Sequence, residues 1–300
     1  MKLRWFAVGV APIVLLTGCG SSAGAAGETD GRVPVVASTN VYGDIVQQVG
    51  GPHVEVTSIL SDPNVDPHGY ESSVKNAAAV ADAKLVVDNG VGYDDFMSKL
   101  IRTADPHEQT VITAATVLGV TGADANPHLW YDVPKMPKVA HAIAAALAKI
   151  DPAHAAAYRK NAAAFTTAVK PVEKVLGTIR ARYDGAQVAY TERVAGYLLT
   201  DAGLRLGIPA SFPQAVEEGE DPSPADTVAF DNALHDHTVR VLIYNSQVTD
   251  KQTGQLKKQA IAAGVPLVPV TETMPPKSAS YQAWQLGQAD KLLTALEKKS

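Results

Sequence analysis

Residues 135–183 are rich in alanine and read as helix almost throughout, and they divide the chain into two halves with the same plan. Before them, β-rich runs at 33–37, 54–60, 85–89 and 110–113 take turns with helical apolar spacing at 41–49, 73–81 and 94–102. After them, strands are predicted at 188–190, 208–211, 239–244 and 265–270. The helices between these strands fall at 194–202, 224–235 and 249–263, and a last helix covers 281–298. Ser223, with Asp226 three residues later, marks a capped start for one of them. Strand and helix in alternation imply βαβ units and a parallel or mixed sheet in each half. The expected fold class is therefore α/β: two βα lobes joined by a helical connector. The order of elements repeats, although no residue-level repeat is visible.

The connector itself splits into helices at 135–149 and 152–183. Pro152 suits a first-turn position, with Asp151 as N-cap. A continuous second helix would hold about thirty residues and span roughly 45 Å at 1.5 Å per residue. Pro171 inside it is expected to kink or loosen it. That length fits a backbone helix running along both lobes. The boundaries that follow are 33–135 for the N-terminal lobe, 136–182 for the connector and 183–300 for the C-terminal lobe.

The beginning of the chain has another character. Lys2 and Arg4 precede an apolar run at 6–16 that is short for a membrane span, which predicts a signal peptide over 1–18. Leu16-Thr17-Gly18-Cys19 resembles a bacterial lipobox, so Cys19 is the expected lipidation site and membrane anchor. It is the chain's single cysteine. No disulfide can form within the chain, and stability must come from packing. Residues 19–32 read as a flexible tether. The formal net charge is −5, and loss of Lys2 and Arg4 with the leader takes two positive charges from it, leaving −7. Such a balance argues against nucleic acid as a partner and suits a protein that gathers cations.

Four residues carry the chemistry. In open α/β sheets, ligands collect beyond the carboxyl ends of the strands. His68, in Asp66-Pro67-His68-Gly69-Tyr70-Glu71, follows the strand at 54–60. His128, in Asn126-Pro127-His128-Leu129-Trp130-Tyr131-Asp132, follows the strand at 110–113 after a longer connection. Glu192 and Glu272 stand just past the strands at 188–190 and 265–270. Two imidazoles and two carboxylates can complete the shell of a divalent transition metal in the cleft between the lobes. Pro67 and Pro127 fix φ beside the histidines and reduce the entropy lost on ordering them.

The chain has eight histidines, and a lone one is more often a surface residue than a ligand. Asp105-Pro106-His107 repeats the tripeptide around His68, but it precedes its strand and falls at the opposite edge. His53 also precedes a strand. His141 and His154 belong to the Ala-rich helices, and His235 and His237 flank a helix end. The run Glu217-Glu218-Gly219-Glu220-Asp221 can attract cations electrostatically, but reads first as a solvated loop before a helix. No phosphate loop, nucleophile elbow, Cys-x-x-Cys pair or His-Glu-x-x-His helix occurs.

On the two histidine motifs, together with the lipobox, the chain resembles the zinc/manganese family of metal-binding solute-binding lipoproteins that serve ATP-binding-cassette importers. The likeness runs from the lipobox nearly to the C-terminus. It implies two α/β lobes, a long backbone helix, and a buried metal held by His68, His128, Glu192 and Glu272. It also implies Mn²⁺ or Zn²⁺ as cargo, and an ABC permease with its ATPase as partners. The setting would be the cell surface or periplasm, with the protein anchored through lipid and acting as a monomer, not an enzyme. In that family the third ligand is usually His in zinc members and Glu in manganese and iron members, so Glu192 leans towards manganese. The fourth is usually Asp, and Glu272 departs from that.

Three other readings remain open on the residues. A His/His/Glu/Glu site can serve a metal-dependent hydrolase or oxygenase, although catalysis needs an open coordination position. The same two-lobe plan can carry a metal chelate, which calls for a wide cleft lined by aromatics and arginine. Adhesion to a host surface is implied only by some family members.

Overall fold

The structure is a computed structural model and describes residues 1–2, 31–62, 70, 73–104, 109–122, 124–248 and 251–298. Its frame is two four-stranded sheets, both parallel throughout. The first holds β1 (Val33–Thr39), β2 (Val54–Leu60), β3 (Leu85–Asp88) and β4 (Thr110–Thr113) in the order β2-β1-β3-β4. Its helices are α1 (Asn40–Gly50), α2 (Val74–Asp82), α3 (Asp95–Thr103) and the short α4 (Ala114–Leu118). β3 is buried at every residue and β1 at six of its seven, as expected where helices cover both faces of a parallel sheet.

Three helices follow: α5 (Met136–Ile150), α6 (Ala155–Ala168) and α7 (Lys170–Tyr183). The predicted long helix thus exists as two segments broken at Val169, two residues before Pro171. Proline has no N–H to give to the preceding turn, so the interruption falls where its ring would meet that turn. Asp151 caps no backbone N–H. Its carboxylate instead accepts from the Tyr158 hydroxyl at 2.5 Å and pairs with His154 Nδ1 at 2.7 Å. α6 packs on α1 of the first lobe, whereas α7 packs on the last helix of the second.

The second lobe has β5 (Gln187–Tyr190), α8 (Gly196–Asp201), β6 (Arg205–Leu206), α9 (Ser211–Glu217) and α10 (Pro224–His235). It continues with β7 (Leu242–Asn245), α11 (Lys251–Ala262), β8 (Leu267–Val270) and α12 (Tyr281–Glu297). The sheet order is β6-β5-β7-β8, the same permutation as in the first lobe. Ser223 caps α10 by accepting from Asp226 N at 3.1 Å. The strand expected at 208–211 is not there. Pairing is confined to Arg205–Leu206, and Ser211 already opens α9. Gly207 lies so close to Val239 and Gln187 that a Cβ would sit 2.6 and 2.9 Å from their side chains, and Pro209 offers no ladder N–H.

The lobes share an apolar core that runs from Val35 and Tyr42 through Trp130 to Val188, Val270 and Leu292. Trp130 and Tyr131, directly after His128, are fully buried. Trp130 packs edge-on against Tyr42 and Tyr93. Polar ties cross between the lobes beside this wedge. Tyr131 donates to Thr271 O (2.6 Å), Tyr281 donates to Trp130 O (2.6 Å), and Asn40 exchanges two bonds with the Met274 backbone. No helix among the described residues is long and apolar enough to cross a membrane.

Candidate metal centre

Parallel strands all end at one edge of a sheet, and here the two such edges face each other. His128 sits in the connection from the first sheet to α5, at the start of a 3-10 turn (Leu129–Tyr131). Glu192 comes two residues after β5, Asn245 ends β7, and Glu272 comes two residues after β8. His128 and Glu272 have no exposure, and Glu192 has 4%. His128 Nε2 is 3.5 Å from Glu272 Oε2. Two donors at 2.0–2.2 Å from a tetrahedral ion stand about 3.4 Å apart, so this pair has the separation of neighbours in such a shell.

The state of the imidazole follows from its neighbours. Asn126 Oδ1 accepts from the His128 backbone N–H at 3.0 Å, while Asn126 Nδ2 donates to Arg193 O at 2.8 Å. Each of those backbone partners has only one polarity, so the amide orientation is fixed. His128 Nδ1 lies 2.9 Å from the same Oδ1, which can only accept. Nδ1 therefore carries the proton, and in the neutral ring the Nε2 lone pair faces Glu272. Edge-on packing by Tyr93 and Trp130 holds the ring plane.

The carboxylates are bound to one another through a neutral amide. Asn245 Nδ2 donates to Glu192 Oε2 at 2.8 Å and to Glu272 Oε1 at 2.6 Å. Tyr93 OH donates to Glu272 Oε2 at 3.2 Å. Glu192 Oε1 is buried with no hydrogen-bond partner among the described residues. Burial raises the Glu192 pKa to about 7, helped by the charge of Glu272 and opposed by the Asn245 bond. His128 is raised as well: burial alone would lower it, but Glu217, Glu272 and Glu192 outweigh that effect. A positive charge placed between these groups would relieve both.

Glu217 is not the solvated loop acid that its sequence setting suggests. It closes α9, its side chain is 2% exposed, and its carboxylate takes three N–H groups of Arg193: N (3.0 Å), Nε (3.3 Å) and Nη2 (2.8 Å). Its Oε2 lies 3.9 Å from His128 Nδ1. No sequence signal marked it, because its burial depends on α9 packing on the turn that carries Arg193. Beside this pair a cleft of about 280 Å³ is lined by Val91, Gly92, Pro127, Arg193, Glu217 and Glu218.

The structure therefore brings His128, Glu192 and Glu272 to one place. His68, Cys19 and the comparison residue His107 lie outside the described residues. Among the described residues, no three His, Cys, Asp or Glu side chains already stand in an ion-holding arrangement. Four of the five other described histidines have other partners: His53 and His154 stack at 3.7 Å, His141 pairs with Thr166, and His235 with Asp236. Sequence reasoning also passed over Asn245 and Tyr93, ordinary-looking residues at or just past the ends of β7 and β3.

Several proteins similar to this chain are named for the metals they bind. Manganese-binding lipoprotein MntA of Bacillus subtilis is 24% identical over 261 residues, covering 83% of this chain and 82% of its own. The iron-binding protein YfeA of Yersinia pestis is 25% identical over 77% of this chain and 75% of its own. Among solved structures, the fold matches a Mn-bound mutant of a periplasmic metal binding protein from Candidatus Liberibacter asiaticus, with a TM-score of 0.72 at 20% identity. That match covers 88% of this chain and 99% of the other. The profile of the ZnuA family, zinc-uptake complex component A, periplasmic, spans residues 35–295, and the chain belongs to that family.

Proposed function

We propose that this protein binds a divalent transition metal ion, Mn²⁺ or Zn²⁺, outside the cytoplasm and delivers it to an ABC-type importer. His128, Glu192 and Glu272 are the donors in the described part of the cleft, and His68 is the fourth. The observation that carries this reading is the pair of buried carboxylates, Glu192 and Glu272, sharing one neutral amide opposite the imidazole nitrogen of His128. Buried anions need a cation or a proton, and imidazole with carboxylate is a donor set for a borderline or hard divalent ion. In this reading residues 33–135 and 183–300 are the lobes, 136–182 join them, and Cys19 after the 1–18 leader carries the lipid anchor. Four protein ligands can fill the shell and leave no position for a substrate, which sets the protein apart from a metallohydrolase or oxygenase.

The test is metal analysis of protein made without residues 1–18, followed by competition between Mn²⁺ and Zn²⁺. One ion bound per chain, and no metal-dependent turnover of ester or peptide substrates, is the expected result. Absence of tight binding of either naked ion would overturn the reading. Cys19→Ala should send the protein to the soluble fraction with its metal binding intact, whereas unchanged membrane retention would remove the anchor.

A further inference from the structure

We infer that Asn126 is a positioning residue that sets the His128 donor and, through the same amide, ties it to the strand end that presents Glu192. This rests on the reading of His128 as a metal donor. The oxygen of the amide accepts from both His128 N and His128 Nδ1, at 3.0 and 2.9 Å. Its nitrogen crosses to the other lobe and donates to Arg193 O, the residue after Glu192. A second tie runs back, since Tyr197 OH donates to Asn126 O at 2.9 Å. Arg193 in turn is held by Glu217 and donates from Nη1 to Asp124 O at 3.4 Å. The two donors are thus set by one planar group whose ends have opposite polarity.

Gly196 is shaped to this contact. Its backbone is helical (φ −53°, ψ −44°), so alanine is conformationally allowed there. A Cβ at that position would come within 2.7 Å of Asn126 Nδ2 and displace the amide from Arg193 O. Aspartate at 126 would keep the acceptor for His128 but set a carboxylate oxygen against the Arg193 carbonyl. The asparagine therefore does two jobs, and they can be separated by substitution.

The experiment is Mn²⁺ titration of the chain lacking residues 1–18 and its variants. His128→Ala is the reference: if it binds like the parent, the ligand reading fails, whatever position 126 does. Given that loss, Asn126→Ala should weaken Mn²⁺ binding by about 10- to 100-fold, the range for partners of metal-ligating histidines. Asn126→Asp should recover part of that loss, because the acceptor facing Nδ1 returns. Gly196→Ala should weaken the parent yet leave Asn126→Ala unchanged within about twofold, since its effect passes through the amide. If Asn126→Ala does not fold, Asn126→Ser replaces it in the same cycle. Parent-like binding by Asn126→Ala, no recovery by Asp, or additive effects of positions 126 and 196 would each overturn the proposal.

Discussion

The two lobes have the same sheet permutation but contribute opposite chemistry to the cleft. In the first, β1 and β2 run seven residues each, and the described residue that reaches the cleft is an imidazole. In the second, strands of two to four residues present two carboxylates, each two residues beyond a strand end. His128 hangs on a long connection and is positioned by Asn126 and the Trp130 wedge. Glu192 and Glu272 are positioned directly by β5 and β8 and linked by Asn245 on β7, the strand between them. A repeated scaffold thus fixes where side chains enter the cleft, while the residues past each strand fix their chemistry.

If the lobes divide the donors in this way, removing one from either side should do similar damage. His128→Ala and Glu272→Ala each leave buried charge uncompensated, a loss of about 3–5 kcal/mol. Mn²⁺ and Zn²⁺ affinity should fall by roughly a hundred- to several-thousandfold in each, read by calorimetric titration. His68→Ala should match them and His107→Ala should leave affinity unchanged. A large effect on one lobe's side only would break the symmetry.

The first lobe also buries acids, Asp88 and Asp94. Asp88 ends β3 at 5% exposure, and burial, then the charge of Asp94, raises its pKa from 3.8 to about 7. A carboxyl raised on folding favours the folded state while protonated. Its contribution is therefore complete below pH 4 and is lost as pH rises through 7. About three pKa units correspond to up to about 4 kcal/mol. Thermal melts of the metal-free protein should show stability falling between about pH 4 and pH 7, and Asp88→Asn should flatten part of that fall, the rest belonging to Glu192. An equally steep fall in the variant would place the effect elsewhere.

In the second lobe, Asn245 takes the part that a metal would later share. Asn245→Ala leaves two buried carboxylate oxygens without their donor, costing about 1–3 kcal/mol in the metal-free protein. Saturating Zn²⁺ should shrink that difference, because the ion then separates the charges. Melts with and without metal test this, and an equal loss in both states would show that Asn245 only supports the local fold.

Much of this was legible in the sequence because parallel βα units leave a strong periodic trace. Seven of the eight strands fall within or overlap the predicted runs, and Pro171 marked the break between α6 and α7. The exception, 208–211, looked like a strand on local β-propensity, but Gly207 and Pro209 end the pairing early. His128, Glu192 and Glu272 were legible as residues past strand ends. Glu217, Asn245 and Tyr93 were not, because their roles come from which element packs opposite them. No local pattern records that placement.

The smallest expected effect bears most directly on the difference between the lobes, namely which metal the carboxylate side selects. In the proposed site Glu192 is an oxygen donor: its Oε1 has no hydrogen-bond partner among the described residues, while its other oxygen is held by Asn245. Carboxylate oxygens suit Mn²⁺ and allow it a coordination number above four, whereas imidazole favours Zn²⁺. Zn²⁺ stands above Mn²⁺ in the Irving–Williams order, so absolute affinity does not identify the cargo, but a ratio responds to donor type. Glu192→His should move the Zn²⁺/Mn²⁺ affinity ratio towards Zn²⁺ by on the order of tenfold, about 1.4 kcal/mol. Competition titration of the two ions measures it. A ratio that stays put would mean that Glu192 does not touch the ion, and that Glu272 alone represents the second lobe in the site.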